Sequence, residues 1–174
     1  VSHLDYFPRQ DFIFREAAPT DASTIQELFK LIHQEYNFEV DFLGRDQDLV
    51  HIRQYYSVNK NFSGVLIDSK SNTLMGSVGL KNKGNDVAEL CRLYLLGSYR
   101  GLGLGKRLLL NAITIAKKLS YKKLVLETHS SMVEAIALYE KLGFKEIPPF
   151  SSKDTRYCDY ASELCLESLD LELI

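Results

Sequence analysis

Only three cysteines occur in the chain, Cys91, Cys158 and Cys165, and none stands in a CxxC or Cys/His arrangement. That pattern suggests neither a zinc site nor a disulfide framework, and it predicts reduced thiols in a cytoplasmic protein. No run of about 18 uncharged apolar residues appears, so no membrane span is expected. The opening VSHLDYFPRQDF has no continuous apolar stretch of signal-peptide type. An excess of one charge sign is lacking too. The net charge is -2, which gives no overall pull toward nucleic acid or an anionic membrane. Repeats, low-complexity tracts and linkers are absent. What remains is a chain of 174 residues, 45% hydrophobic and 25% charged, long enough for one substantial core and short for two. The expectation is a single compact α/β domain over 1–174, with 1–12 as an N-terminal extension.

Ile13 to Glu16 reads as a short strand. Pro19, Thr20 and Asp21 then punctuate a helix whose Ile25, Leu28, Phe29 and Ile32 recur at helical spacing. A second helix is predicted over Asp48 to Tyr56, with Leu49, Ile52 and Tyr56 on one face. VLID (65–68) and LMGSVGL (74–80) flank the polar SKSNT, which suits a hairpin loop, and KNKGND makes the next turn. VAELCRLYLL (87–96) looks like a central strand, and the polar Glu89 and Arg92 embedded in it need a reason. A long amphipathic helix follows. Leu104, Leu108, Ala112, Ala116 and Leu119 form its apolar stripe, with Lys106, Arg107, Asn111, Lys117 and Lys118 mostly elsewhere. KLVLETH (123–129) is a further strand. Ser131 and Glu134 form a capping-box signature for a helix through Leu142, and Gly143 with Phe144 fits a left-handed stop. SELCLESL (162–169) is the final strand.

Between the central strand and the long helix lies SYRGLGLGKRLLLNAI (98–113). A P-loop needs Gly, four residues, then Gly-Lys-Ser/Thr, but Gly105-Lys106 is followed by Arg107 and position 100 is arginine. A GxGxxG fingerprint fails as well, ending on Lys106 or Leu108. What is left is Arg100-x-x-Gly103-x-Gly105 joining a strand to a helix. Glycines let backbone N–H groups turn toward an anion, and the helix N-terminus adds free donors and the positive end of its dipole. A pyrophosphate fits such a concavity, although a glycine-rich turn can also serve close packing alone.

RGLGLG at 100–105 and AIALYEKLGF at 135–144 together resemble the GNAT superfamily of N-acetyltransferases. Members carry an acyl-CoA loop of the form Q/R-x-x-G-x-G/A and a later helix with a tyrosine in A-x-x-LY-x-x-x-GF. The strand AELCRLYLL and the opening FREAAPTDASTIQELF are also similar to the family, and the likeness runs from about Ile13 to Leu173. It implies an α/β (α+β) fold with a strongly twisted mixed β-sheet and flanking helices. The fourth and fifth strands, here 87–95 and 123–129, splay apart to leave the acyl-CoA cleft.

The resemblance further implies acetyl-CoA as co-substrate. Leu93 and Leu95 would offer main-chain hydrogen bonds to pantetheine. The N–H groups of Arg100, Gly101, Leu102, Gly103, Leu104, Gly105 and Lys106 would surround the pyrophosphate. Tyr139 would protonate the departing thiolate, its competing reading being a ring that merely packs. A free alkyl amine is scarce at pH 7, roughly one molecule in a few thousand, so a base is required. Glu89 stands where related enzymes place one, although a glutamate paired with a basic neighbour is an equal reading. His129 is an alternative base. Many members have asparagine seven residues before the helix tyrosine, and this chain has Met132. Cys91 reads as core, and Tyr36, Tyr55, Tyr56 and Tyr157 could border the acceptor. The implied activity is transfer of an acetyl group to a primary amine of a small or amino-acid-like acceptor in a ternary complex. The alternatives are a peptide or protein acceptor, or a non-catalytic acyl-CoA-binding module. Dimers are common in the family, so a homodimer is one assembly the resemblance allows, and the sequence leaves the oligomeric state open.

Overall fold

The computed structural model describes residues 11–150 and 156–170. The order is β1 (Phe12–Glu16), α1 (Ala22–Glu35), α2 (Ile52–Tyr56), β2 (Phe62–Asp68), β3 (Thr73–Gly84), β4 (Val87–Leu95), α3 (Leu104–Lys118), β5 (Lys123–Thr128), α4 (Val133–Lys141), β6 (Lys145–Ile147) and β7 (Tyr160–Cys165). All these strands join one seven-stranded sheet in the order β1-β2-β3-β4-β5-β7-β6. Neighbours are antiparallel except β4 and β5, which run parallel. None of the described helices is long and apolar enough to cross a membrane.

Successive strand residues point to opposite faces, and β2 uses both. Leu66 enters one core with Leu108, Ile113 and Leu124. Val65 and Ile67 enter the other with Ile25, Phe29 and Ile52. The sheet is therefore covered by α3 on one side and by α1 and α2 on the other. Asn85 and Asp86, with φ of 51° and 58°, make the tight β3–β4 hairpin, because two left-handed central residues match the strand twist.

Two features of β4 open the cleft. Its parallel pairing with β5 covers only Val87 to Glu89, opposite Lys123 to Val125. On the β3 side the register jumps between Gly79↔Cys91 and Ser77↔Tyr94, so Arg92 and Leu93 together oppose a single residue. This is a β-bulge, and Arg92 occupies it with a left-handed φ of 55°. Bulges bend a strand and increase its twist. Past the bulge β4 continues to Leu95 without a partner on its β5 side.

Several sequence expectations need correction. The helix expected over 48–56 is a one-turn 3-10 segment at Gln47–Leu49 followed by the five-residue α2. Asp48 is drawn inward to Arg92 and Lys81, which breaks the helical run. The capping box at Ser131 does not form. Met132 is the N-cap of α4 and gives no side-chain cap bond, while the Ser131 hydroxyl lies 2.7 Å from His129 Nδ1. Arg107 and Asn111 are buried rather than polar-face residues, at 4% and 0% exposure. Arg107 donates to the Phe12 carbonyl (2.8 Å) and Asn111 to the Arg107 carbonyl (3.1 Å). The last strand ends at Cys165 rather than at 169, and β6 had no counterpart in the sequence reading. Residues 1–10 of the expected N-terminal extension lie outside the described residues.

Candidate active site

The open half of β4 leads through a 3-10 turn at Gly97–Tyr99 into the glycine stretch. Gly101 and Gly103 have φ of 78° and 76°, a conformation in which a side chain is strained. No atom outside their chain neighbours lies within 4 Å of where a Cβ would stand at either glycine. Gly103 is the N-cap of α3 and makes no side-chain cap bond. Arg107 N–H closes onto the Gly103 carbonyl at 3.1 Å, so the amides of Leu104 and Gly105 precede the first closed turn. Donors and the positive helix end therefore face an uncapped space. Leu104 anchors this end from below, being fully buried in the core.

A cavity of about 270 Å³ opens there, lined by Leu93, Leu95, Arg100, Gly101, Gly103, Gly105 and Lys106 among others. Two expected members lie apart from it. Leu102 is 51% exposed and Leu104 is in the core. Arg100 lines the cavity, but its groups are engaged within the fold. Its amide donates to Gly97 O (3.2 Å), its Nε to Leu95 O (3.1 Å), and its Nη1 pairs with Glu35 (2.7 Å). The polar groups left facing this end are thus mainly main-chain donors. Gly103→Ala is expected to raise the acetyl-CoA Kd about tenfold, since holding alanine left-handed costs about 1–2 kcal/mol. Lys106→Gln is expected to cost about threefold, as for a solvent-screened charge. Calorimetric titration compares the two.

A second cavity of about 460 Å³ lies on the α1 side of the fork, with Glu89 in its wall. The two cavities share Ile32, Tyr94 and Met132. The wall of this second cavity carries a charge network around the buried Asp46 and Asp48. Arg92 donates from Nη2 to Asp48 (2.6 Å), from Nη1 to Asp46 (3.0 Å) and from Nε to Asp48 (3.2 Å). Asp48 also receives Tyr56 Oη (2.5 Å) and Lys81 Nζ (3.0 Å). Burial works to raise the Asp48 pKa, but the cations Arg92 and Lys81 and the Tyr56 hydroxyl hold it below the usual carboxylate value. Burial alone works to strip Arg92 of its proton, and the network more than reverses this. His33 is pushed down to about 4 by burial, so it is neutral at pH 7. Burial pushes the Cys91 thiol up to about 11, consistent with a packed rather than reactive group.

Glu89 stands at the last parallel pair, opposite Val125, and lies 3.2 Å from Lys83 Nζ. Tyr139 lines neither cavity's described wall. It is 5% exposed, on α4, with its ring 5.6 Å from Phe144. The α4 stop fixes that pair: Gly143 (φ 92°) donates to Glu140 O (3.0 Å) and Phe144 to Tyr139 O (3.1 Å), the Schellman arrangement. Burial raises the Tyr139 pKa, with Tyr94 adding to the effect. His129 borders the second cavity, its Nε2 3.9 Å from Asp159. Met132, where asparagine is common, has its sulfur 3.3 Å from Thr128 Oγ1.

Sequence reading missed the roles of Asp46 and Asp48 and of the loop that carries them. The available signal was Arg92 itself. An arginine inside an apolar strand demands a buried counter-charge, and RDQD at 45–48 supplies one.

The glycine cradle at a helix start, the forked parallel pair and the two cavities meeting at the fork define an acyl-CoA-dependent transferase. Residues 25–144 match the model of the acetyltransferase (GNAT) family, and the chain belongs to that family. It is 32% identical over 143 residues to the uncharacterized N-acetyltransferase YjgM of Escherichia coli K12, covering 79% of this chain and 84% of the relative. It is 35% identical over 117 residues to a spermidine N(1)-acetyltransferase of Thermoplasma acidophilum, covering 67% and 66%. In fold it is similar to a GNAT acetyltransferase of Staphylococcus aureus, with a TM-score of 0.80 at 23% identity over 89% of this chain and 99% of the other. It is also similar to the PaiA N-acetyltransferase of Thermoplasma acidophilum solved with coenzyme A, with a TM-score of 0.70 at 22% identity over 90% and 99%. The protein is an acetyl-CoA-dependent N-acetyltransferase.

Proposed function

We propose that the chain acetylates a primary amine of a small-molecule or amino-acid-like acceptor, by direct attack of the amine in a ternary complex. The observation that carries this reading is the pair of cavities meeting at Ile32, Tyr94 and Met132. One holds the glycine cradle and the other holds Glu89, so donor and acceptor can approach each other through the fork.

In this reading the amides after Gly103 bind the pyrophosphate, and β4 groups around Leu93 and Leu95 orient the pantetheine arm. Glu89, 3.2 Å from Lys83 Nζ, accepts the amine proton, directly or through one water. Tyr139 donates its hydroxyl proton to the leaving sulfur. Two further contacts favour a small acceptor over a peptide. Tyr157 donates to Glu39 at 3.0 Å and lies under the Arg45 guanidinium at 3.9 Å. These join two loops across the acceptor side.

A thiol-release assay with acetyl-CoA and an amine panel, followed by mass measurement of the product, tests the proposal. Release of CoA thiol is expected only with a suitable amine, with a mass gain of one acetyl group on that amine. Tight acetyl-CoA binding with no turnover across the panel would refute it.

A further inference from the structure

Arg92 holds a position where glycine is the usual occupant. It is the first of the two β4 residues that oppose a single β3 residue, and its φ of 55° is left-handed, a conformation that such a bulge ordinarily gives to glycine. A residue with a Cβ is strained there and persists only where its surroundings hold it. Around Arg92 they do. Its guanidinium donates to Asp46 (3.0 Å) and twice to Asp48 (2.6 and 3.2 Å), and lies 5.0 Å from the centre of the Phe29 ring on α1. From β3 the buried Ser77 hydroxyl donates to the Arg92 carbonyl at 2.8 Å.

Side-chain alternation along β4 gives this clasp its consequence. Ala88 and Leu90 belong to the core beneath α3, and Cys91 packs on the core beneath α1 and α2. A regular strand would send Arg92 back to the α3 side, into an apolar core, and would turn Leu93 and Leu95 toward α1. The bulge reverses that order. Arg92 stays on the α1 side with its carboxylates, while Leu93 and Leu95 pack toward α3. The main chain shifts with the side chains. Leu96 N–H donates to Met75 O on β3 at 2.8 Å, so by alternation the peptide groups of Leu93 and Leu95 face the edge that β5 leaves open. A slip of one residue would turn them into β3 and present Tyr94 to the cleft instead.

We infer that Arg92 is a positioning residue for acyl transfer: clasped by Asp46 and Asp48, it fixes the β4 bulge and so aims the main chain of Leu93 and Leu95 into the acyl-CoA cleft. This rests on the reading above in which β4 orients the pantetheine arm, and the test separates the two. Arg92→Ala and Arg92→Gly both delete the clasp, but only glycine takes the left-handed conformation without strain. Calorimetric titration of wild type and each variant gives the Kd of acetyl-CoA and of ADP, which carries a pyrophosphate but no pantetheine arm.

Arg92→Ala is expected to raise the acetyl-CoA Kd about tenfold, because an unclasped left-handed Cβ lowers the population of the competent bulge, and to leave the ADP Kd unchanged. Arg92→Gly should bind acetyl-CoA within about threefold of wild type, since the bulge then carries no strain. A merely structural Arg92 predicts another order, because glycine inside a strand otherwise weakens it. The inference is overturned if Arg92→Gly binds acetyl-CoA no better than Arg92→Ala, or if Arg92→Ala weakens ADP as much as acetyl-CoA. In those cases the pantetheine reading stands. If wild type holds acetyl-CoA no tighter than ADP, that reading falls and takes this inference with it. Should neither Arg92 variant fold, Ser77→Ala carries the test, since it removes only the hydroxyl that holds the bulge carbonyl. An acetyl-CoA Kd raised about threefold, as for one lost hydrogen bond, is then expected with ADP unchanged, and a Kd equal to wild type overturns the inference.

Discussion

Tyr139→Phe is expected to lower kcat about 100-fold or more, the usual scale for a lost general acid, while leaving the acetyl-CoA Kd within a few-fold of wild type. The substitution removes one oxygen and keeps the ring, which packs against Phe144 under the α4 stop. Structure and donor binding should therefore survive. The hydroxyl has no hydrogen-bond partner among the described residues, yet it is not one of the polar atoms sealed from solvent without a partner. Burial keeps it protonated at neutral pH, so a proton is available for a departing thiolate. Since the interaction would exist only as the sulfur leaves, kcat and kcat/KM should fall together. Steady-state thiol release and calorimetric titration make the comparison. A variant turning over at the wild-type rate would remove Tyr139 from the chemistry.

The second large effect concerns stability. Asp48→Ala should lower the unfolding free energy by about 3 kcal/mol, because it takes a counter-charge from the largely enclosed Arg92 guanidinium, whose side chain is 14% exposed. Asp48 is 2% exposed and accepts from Arg92, Lys81 and Tyr56. Its pKa is held below the model-peptide value. The stability it contributes is therefore complete above the unfolded carboxylate value near pH ~3.9 and is lost as pH falls through the lower folded value. Urea unfolding at pH 7 should show the full deficit, and the gap between variant and wild type should narrow below pH 4. A deficit at pH 7 under about 1 kcal/mol, the scale of an exposed pair, would mean that the network is not stabilising.

The glycine turn into α3 and the stop of α4 were legible in the sequence because their conformations are local. Gly103 and Gly105 are read from spacing, Gly143 and Phe144 from a helix-end pattern, and the structure places the first pair at the start of α3 and the second at the end of α4. The acceptor side depends on contacts between distant segments. Asp46 and Asp48 meet Arg92 some 44 to 46 positions away, and no periodicity in 37–50 announces it. The same attraction shortens the helix expected over 48–56. Ser131 had the right spacing for a capping box, but the nearby His129 nitrogen competed successfully for its hydroxyl. Met132 took the cap position, and this brought an apolar side chain to the waist between the two cavities.

That waist also bears on inhibition. Any ligand occupying both chambers must pass Ile32, Tyr94 and Met132, an alkyl side chain, a thioether and a phenol that burial keeps protonated, its pKa pushed up to about 12. A bisubstrate molecule joining the coenzyme sulfur to the acceptor nitrogen therefore needs a short, uncharged spacer at that point. Its two halves would bind with the advantage of high effective concentration. Lengthening the spacer series one methylene at a time would measure the gap, since affinity peaks where the linker matches the span.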